Sequence, residues 1–256
     1  MFSLCIPTMD RYDSFLKRYL PEYLKNDLID EIIIIDENGN DYNKIMNYFP
    51  NNDKIKLYKN EVVLGPFLNK LNVCKKASKQ WIVLIDSDNF ADNDYFIKIK
   101  EYIDMYTPPE NSILSPDYGN EIFKWKHLSS LPPPTNVINK STYNQLKILD
   151  DIQSKKYNGN TGCISHLMNL GNFVINKYLI NNIDISNETF LTKNSDCFDV
   201  VLFNLLCFEQ LNMNFYIINN LKYTHTTSND SIYLKTINKL RPYAENTYNR
   251  LYKFFE

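Results

Sequence analysis

Two aspartates one residue apart, Asp86-Ser87-Asp88, follow the apolar run Trp81-Ile82-Val83-Leu84-Ile85. A buried strand ending in this way presents two carboxylates on one side of an extended segment, at the mouth of a sheet. In a partly desolvated cleft such a pair repels itself unless a cation joins it. Carboxylate oxygens suit Mg²⁺ or Mn²⁺, with phosphate oxygens completing the shell. A cation held there acts as a Lewis acid and neutralises charge that develops on a departing diphosphate. A D-x-D tripeptide alone also arises as a solvated acidic turn, so its place after a buried strand is what gives it weight.

Other residues of chemical interest are spread along the chain. Asp36 closes a run of four isoleucines, Ile32 to Ile35, just as Asp86 closes its own strand. Asp196 and Asp199 precede the apolar stretch from Val200 to Leu206, where a helix N-terminus favours a carboxylate as cap or dipole partner. His225 is one of three histidines and follows Lys222-Tyr223-Thr224. A lone histidine at a strand end is ordinary, although imidazole suits Mn²⁺ better than Mg²⁺.

The elements that must position these groups alternate in type. Residues 2–7, 31–36, 54–58 and 81–86 read as strands, and residues 12–25, 44–49 and 67–79 as helices between them. Such alternation predicts an α/β fold with right-handed crossovers and a mainly parallel sheet. Ligands of these sheets bind beyond the carboxyl ends of the strands, where Asp36 and Asp86 both fall. Farther on, Leu131-Pro132-Pro133-Pro134 and residues 136–162 read as a loop-rich insertion. Residues 171–176 form a further strand, 199–210 a buried helix and 215–225 one or two strands. Residues 233–255 are helical and aromatic, with an interruption at Pro242.

Composition narrows the function classes. The 256 residues are 44% hydrophobic and carry a net charge of -2, with a pI near 6.0. One domain of this length buries a sizeable core, and nothing in the charge suggests nucleic acid as partner. Cys5, Cys74, Cys163, Cys197 and Cys207 form no CxxC pair, which speaks for a reducing compartment and against a zinc site. Neither a signal peptide nor an apolar run of membrane-spanning length stands out, so a cytoplasmic protein, soluble or peripheral, is expected. The abundance of Asn, Ile, Lys and Tyr matches the drift of an AT-rich genome, and most individual asparagines are read as carrying no message.

Several of these motifs together resemble a glycosyltransferase of the GT-A fold, a Rossmann-like αβα sandwich, and within it the inverting family 2. The likeness covers residues 2–96 and rests on Cys5-Ile6-Pro7-Thr8, on Ile35-Asp36-Glu37-Asn38-Gly39, and on Gly65, Lys70, Ala77 and Leu84-Ile85-Asp86-Ser87-Asp88 at matching spacing. It implies a nucleotide-sugar donor, of UDP type, with Mn²⁺ or Mg²⁺ as cofactor. Pro7, Thr8, Asp36, Gly65 and Lys70 would then surround the nucleoside and diphosphate together with Asp86, Ser87 and Asp88. The metal would lie on Asp86 and Asp88, joined by His225. The general base that takes the acceptor's proton would be Asp199, with Asp196 as the alternative. Where the family carries Arg-Asn, this chain has Lys70-Leu71, which keeps the charge but loses the bidentate fork. Phe198 stands where a Glu precedes the base.

On this reading residues 1–256 form one domain: a donor half to about 100, a loop-rich acceptor half to about 230, and a C-terminal helical segment. Gly171-Asn172-Phe173-Val174 would line the acceptor side, and Tyr118, Trp125 and His166 are aromatic candidates for stacking on a glycan acceptor. Tyr243, Tyr248, Tyr252, Phe254 and Phe255 suit packing onto the domain, a homodimer contact or a membrane surface. Two rivals remain. A sugar-phosphate nucleotidyltransferase would need a Gly-rich loop that Pro7-Thr8-Met9-Asp10-Arg11 lacks. A degenerate nucleotide-sugar-binding protein would explain Phe198 and the missing Arg-Asn.

Overall fold

The computed structural model describes residues 1–119, 123–124, 136–143, 171–226 and 232–256. Trp125, Cys163, His166 and the Pro132-Pro133-Pro134 run lie outside the described residues, as does the side chain of Tyr118.

Four strands come first: β1 (Phe2–Thr8), β2 (Ile29–Asp36), β3 (Ile55–Lys59) and β4 (Trp81–Leu84). All seven residues of β1 are buried, as are all of β2 except Asp30. A strand covered on both faces has no polar side to alternate with, which is why these read as continuous apolar runs. Each buried isoleucine contributes about 1.5–3 kcal/mol, so the centre of the sheet is firmly anchored.

Farther along come β5 (Ser112–Gly119), β6 (Phe123–Lys124), β7 (Val137–Ile138), β8 (Val174–Asn176) and β9 (Asn214–Tyr223). All belong to one sheet of order β3-β2-β1-β4-β8-β5-β9-β7, with β6 paired to β5. Strands β1 to β4 are mutually parallel, and β9 runs parallel to β5. Between β4 and β5, β8 is inserted antiparallel to both. The mainly parallel α/β sheet expected from the alternation is therefore present.

The helices on its faces are α1 (Lys17–Lys25), α2 (Tyr42–Tyr48), α3 (Pro66–Lys75), α4 (Asn93–Tyr106), α5 (Lys177–Asn182), α6 (Thr189–Lys193), α7 (Asp199–Leu211) and α8 (Ile232–Phe255). A π-helical turn, Tyr12–Leu16, leads into α1. Helix α3 stops at Lys75, four residues before the expected end. Helix α8 runs through Pro242 without the expected interruption. Its contacts explain why: Leu240, Ala244, Thr247, Leu251 and Phe255 are buried on both sides of the proline, and tertiary packing offsets one lost backbone bond. Phe255 stacks on Tyr143 at 4.2 Å and meets Phe208 at 5.0 Å. The aromatic end of α8 is thus packed onto the fold, while Tyr243 and Tyr252 stay exposed.

Register decides which ends meet. Thr8 pairs with Asp36, and Cys5 with Leu84, so the chain leaving β1, β2 and β4 emerges on one edge of the sheet. At the opposite end Glu31, buried in β2, accepts hydrogen bonds from Ser3 and Ser78 and an ion pair from Lys56. No helix among the described residues is long and apolar enough to cross a membrane. The described cysteines, Cys5, Cys74, Cys197 and Cys207, are free and buried.

Candidate active site

A cleft of about 490 Å³ opens at the carboxyl edge of the sheet. Its lining includes Pro7, Thr8, Gly65, Lys70, Asp86, Ser87, Asp88, Asp196 and Asp199, together with Met9, Arg11, Glu37 and Asn69. Eight of the predicted donor-site and base residues thus come together with Asp196, although they span nearly two hundred positions of sequence.

The D-x-D segment is held by two buried asparagines. Asn172 accepts a hydrogen bond from the Asp86 amide at 2.9 Å. Asn89 closes the turn, its N–H reaching the Asp86 carbonyl at 2.9 Å, and its side-chain oxygen accepts from the Thr226 N–H at 2.9 Å. These bonds tie the loop after β4 to β8 and to the exit of β9. Asn172 belongs to the segment expected to line the acceptor side, whereas nothing in the sequence distinguishes Asn89 from the many exposed asparagines.

Asp86 and Asp88 are partly exposed, at 30% and 27% of their side-chain surface. Burial and the neighbouring Asp86 push the Asp88 carboxyl up to about 6, against the pull of Arg11 and Lys70. Arg11 Nε stands 3.9 Å from the Asp88 carboxylate, too far for a good hydrogen bond. Arg11 was not anticipated as a site residue; its place just past the end of β1 is the signal that was available. A carboxylate so short of positive charge fits a divalent cation by donor chemistry and by electrostatics. Among the described residues no three His, Cys, Asp or Glu side chains form a ready-made metal cage. Asp86 and Asp88 would therefore have to share a cation with ligand oxygens.

His225 does not line this cleft. It follows β9, its Nδ1 lying 3.5 Å from the Tyr223 hydroxyl. Burial holds its pKa below the ordinary imidazole value, with Asp86 pulling the other way.

Lys70 reaches the cleft from α3. Gly65, at φ 90°, lets the chain enter that helix ahead of Pro66, a backbone shape that favours glycine. Leu71 turns into the core at 3% exposure, whereas Asn69 and Lys70 face the cleft. Lys70 Nζ is 3.0 Å from Asp86 and 2.8 Å from Asp199. Burial acts against the ammonium, but the two carboxylates hold its pKa well above the ordinary lysine value.

Asp199 is the first residue of α7, whose N-cap is Phe198, with no side-chain capping bond. Its carboxylate meets Lys70, so capping does not account for its orientation. Asp196 stands one turn earlier in the cleft wall; burial and the charge of Asp199 raise its pKa, and Lys239 opposes them.

Asp36 departs from expectation. It is fully buried and absent from the cleft lining. Its carboxylate accepts the backbone N–H groups of Asp41 and Tyr42 at 2.8 Å and of Asn38 at 3.3 Å. Those bonds shape the loop after β2 and leave the group no reach into the cleft. Asp41 in turn accepts from the Thr8 hydroxyl at 2.7 Å and from the Arg11 and Tyr12 amides. Glu37, the next residue, is the one that faces the cleft, accepting from the Leu64 and Gly65 amides at 2.6 and 2.7 Å.

Comparison with known proteins follows the same lines. Residues 3–179, well over half of the chain, match the family described as Glycosyl transferase family 2. No curated protein sequence matches the chain. Among solved structures it is similar to S. aureus TarS, with a TM-score of 0.61 at 15% identity over 99% of this chain and 42% of that one. The chain thus spans less than half the length of TarS. It is also similar to TarS 1–349 in complex with UDP-GlcNAc, with a TM-score of 0.59 at 13% identity over 99% of this chain and 71% of the other. Glucosyl-3-phosphoglycerate synthase from Mycobacterium tuberculosis, in complex with Mn²⁺, UDP and glucosyl-3-phosphoglycerate, gives a TM-score of 0.58 at 13% identity over 98% of this chain and 79% of the other. At such identities the likeness speaks for the fold, while the sequence match speaks for descent. The chain belongs to glycosyl transferase family 2 and has the GT-A fold.

Proposed function

We propose that this protein transfers a sugar from a UDP-sugar to a hydroxyl group of a glycan or other acceptor, with a divalent cation and with inversion at the anomeric carbon. The observation that carries the reading is the meeting of Asp86, Asp88, Lys70 and Asp199 in one cleft at the carboxyl edge of the sheet. It is supported by the family match and by similar structures that hold UDP, UDP-GlcNAc or Mn²⁺ with UDP.

Asp88, with Asp86, would hold Mn²⁺ or Mg²⁺, which stabilises charge on the diphosphate when bound. Pro7, Thr8, Gly65 and Ser87 form the wall for the nucleoside and diphosphate, and Asp36 acts at one remove through the loop it orders. Asp199 accepts the proton of the acceptor hydroxyl as that oxygen bonds to the anomeric carbon. The bond from that carbon to the diphosphate oxygen breaks, and its electron pair leaves with UDP. Asp196 is the alternative base. His225 would need to approach from the end of β9 to join the cation.

The domain would then divide into a donor half and an acceptor half, working in the cytoplasm with its thiols reduced. UDP release from a panel of UDP-sugars, with Mn²⁺ and with EDTA, tests the reading. Release should require the metal and fall at least about 100-fold in Asp88→Ala. UDP that binds equally well in EDTA, or a product of retained configuration by proton NMR, would remove the cation or the base from the scheme.

A further inference from the structure

The Asp86–Lys70–Asp199 bridge joins a candidate metal ligand to the candidate base through one ammonium. Resting on the function proposed above, we infer that Lys70 is an internal cation and a positioning residue: it holds Asp199 in place for proton abstraction and competes with the divalent cation for Asp86.

The surroundings are built for one compact charge. Nζ lies 3.0 Å from Asp86 and 2.8 Å from Asp199. The third wall is the backbone of Gly171, immediately before the stretch leading into β8. A methyl group at that position would stand 3.3 Å from Lys70 Nζ, 3.4 Å from an Asp86 oxygen and 3.0 Å from Val200. Glycine therefore admits the bridge at close range, where a side chain would make its neighbours give by a few tenths of an ångström. Behind the bridge lies a cavity of only about 30 Å³, lined by Phe67, Leu71, Leu84 and Phe203 among others. Such a lining offers Asp199 no polar substitute, so without Lys70 its carboxylate would swing or draw in water.

Two consequences follow from one ammonium serving two carboxylates. Asp86 already shares the ammonium with Asp199 before any metal arrives, whereas Asp88 has only a looser ion pair, to Arg11 at 3.9 Å. Cation binding at Asp86 must displace part of the Lys70 contact, which weakens binding of metal alone. Lys70 stays on Asp199 and keeps its oxygen directed into the cleft.

The test uses Lys70→Met and Lys70→Arg beside the wild type. Mn²⁺ binding without nucleotide is read by EPR of the free ion, and transfer is read as kcat and donor KM. Lys70→Met should bind Mn²⁺ about 5–10-fold more tightly, with a competing charge gone. Its kcat should fall at least about 10-fold, with donor KM changed less than about 3-fold. Lys70→Arg keeps the charge, so its Mn²⁺ affinity should stay within about 2-fold of wild type and its kcat should recover in part. Should the methionine chain not fold, Lys70→Gln removes the charge while keeping a polar head, and the same two readouts and the same expected changes apply to it. Unchanged Mn²⁺ affinity in Lys70→Met, or arginine and methionine variants that bind Mn²⁺ alike, would overturn the competition. A raised donor KM with kcat intact would make Lys70 a donor contact and overturn the positioning role. Wild-type protein that binds no Mn²⁺ even with UDP would instead sink the metal-dependent function itself.

Discussion

Two carboxylates near opposite ends of the same sheet behave in opposite ways. Glu31, at the amino end of β2, is 3% exposed. Burial tends to raise its pKa, but Lys56, Ser3 and Ser78 outweigh that and hold it down to about 2. Asp88, at the carboxyl edge, is pushed up to about 6 by burial and by Asp86. Glu31 is the less exposed of the two yet has the lower pKa, so the difference lies in partners. Glu31 has a cation and three hydrogen bonds from neighbouring segments and works as a staple. Asp88 has one distant guanidinium and keeps its oxygens available. A parallel sheet concentrates this contrast, because its amino edge is closed by short-range packing whereas its carboxyl edge opens into loops.

The contrast can be broken at either end. The largest effect on stability is expected from Glu31→Gln, which leaves Lys56 without its counter-charge and should cost about 2–3 kcal/mol in urea unfolding at pH 7. A carboxylate with a depressed folded pKa stabilises above its unfolded value and loses that contribution as pH falls. The deficit of the variant should therefore shrink between about pH 4.5 and pH 2,. Donor KM in the folded variant should stay within about 2-fold of wild type, and a larger change would tie the two ends together.

A smaller and opposite effect is expected from Asp88→Asn. Because the folded pKa is raised, the folded chain binds the extra proton between about pH 4 and 6, and stability declines as pH rises through that window,. Removing the charge should raise metal-free stability by about 1–2 kcal/mol at pH 7.5 while activity is lost. The gain should vanish at pH 4. A variant that is less stable at pH 7.5 would place Asp88 among the staples.

The smallest effect is graded. Protons and cation compete for Asp88, so Mn²⁺ affinity in the presence of UDP should weaken below about pH 6, approaching tenfold per unit, and stay level above pH 7,. Titration calorimetry at pH 5, 6 and 7.5 measures this. Glu31→Gln should leave the curve where it is.

Much of the first hundred residues could be read before the structure. Strands β1, β2 and β4 lie inside a covered sheet, so their residues spell apolar runs, and Asp36 and Asp86 follow where two of the runs end. Strand β5 escaped because its sequence, Ser-Ile-Leu-Ser-Pro-Asp-Tyr-Gly, is polar and includes a proline. Ser112, Ser115 and Asp117 are nonetheless buried there, placed by the neighbours of the strand and not by their own hydrophobicity. Helix α4 was missed although Asp92 caps it by accepting from the Tyr95 N–H at 3.0 Å. The asparagines were misjudged as a group. Asn69, Asn89, Asn136 and Asn172 are buried and hydrogen-bonded, and composition cannot separate them from exposed ones.

By itself the sequence determined the central sheet, the carboxylates at its edge and the family, because burial on two faces and motif spacing are properties of local stretches. Only the tertiary structure decided that Asp36 turns inward while Glu37 faces the cleft, and that Lys70, Asp86, Gly171 and Asp199 meet. That choice rests on register and on the antiparallel entry of β8 between β4 and β5, which bring together residues more than a hundred positions apart. No periodicity or local propensity encodes such a meeting.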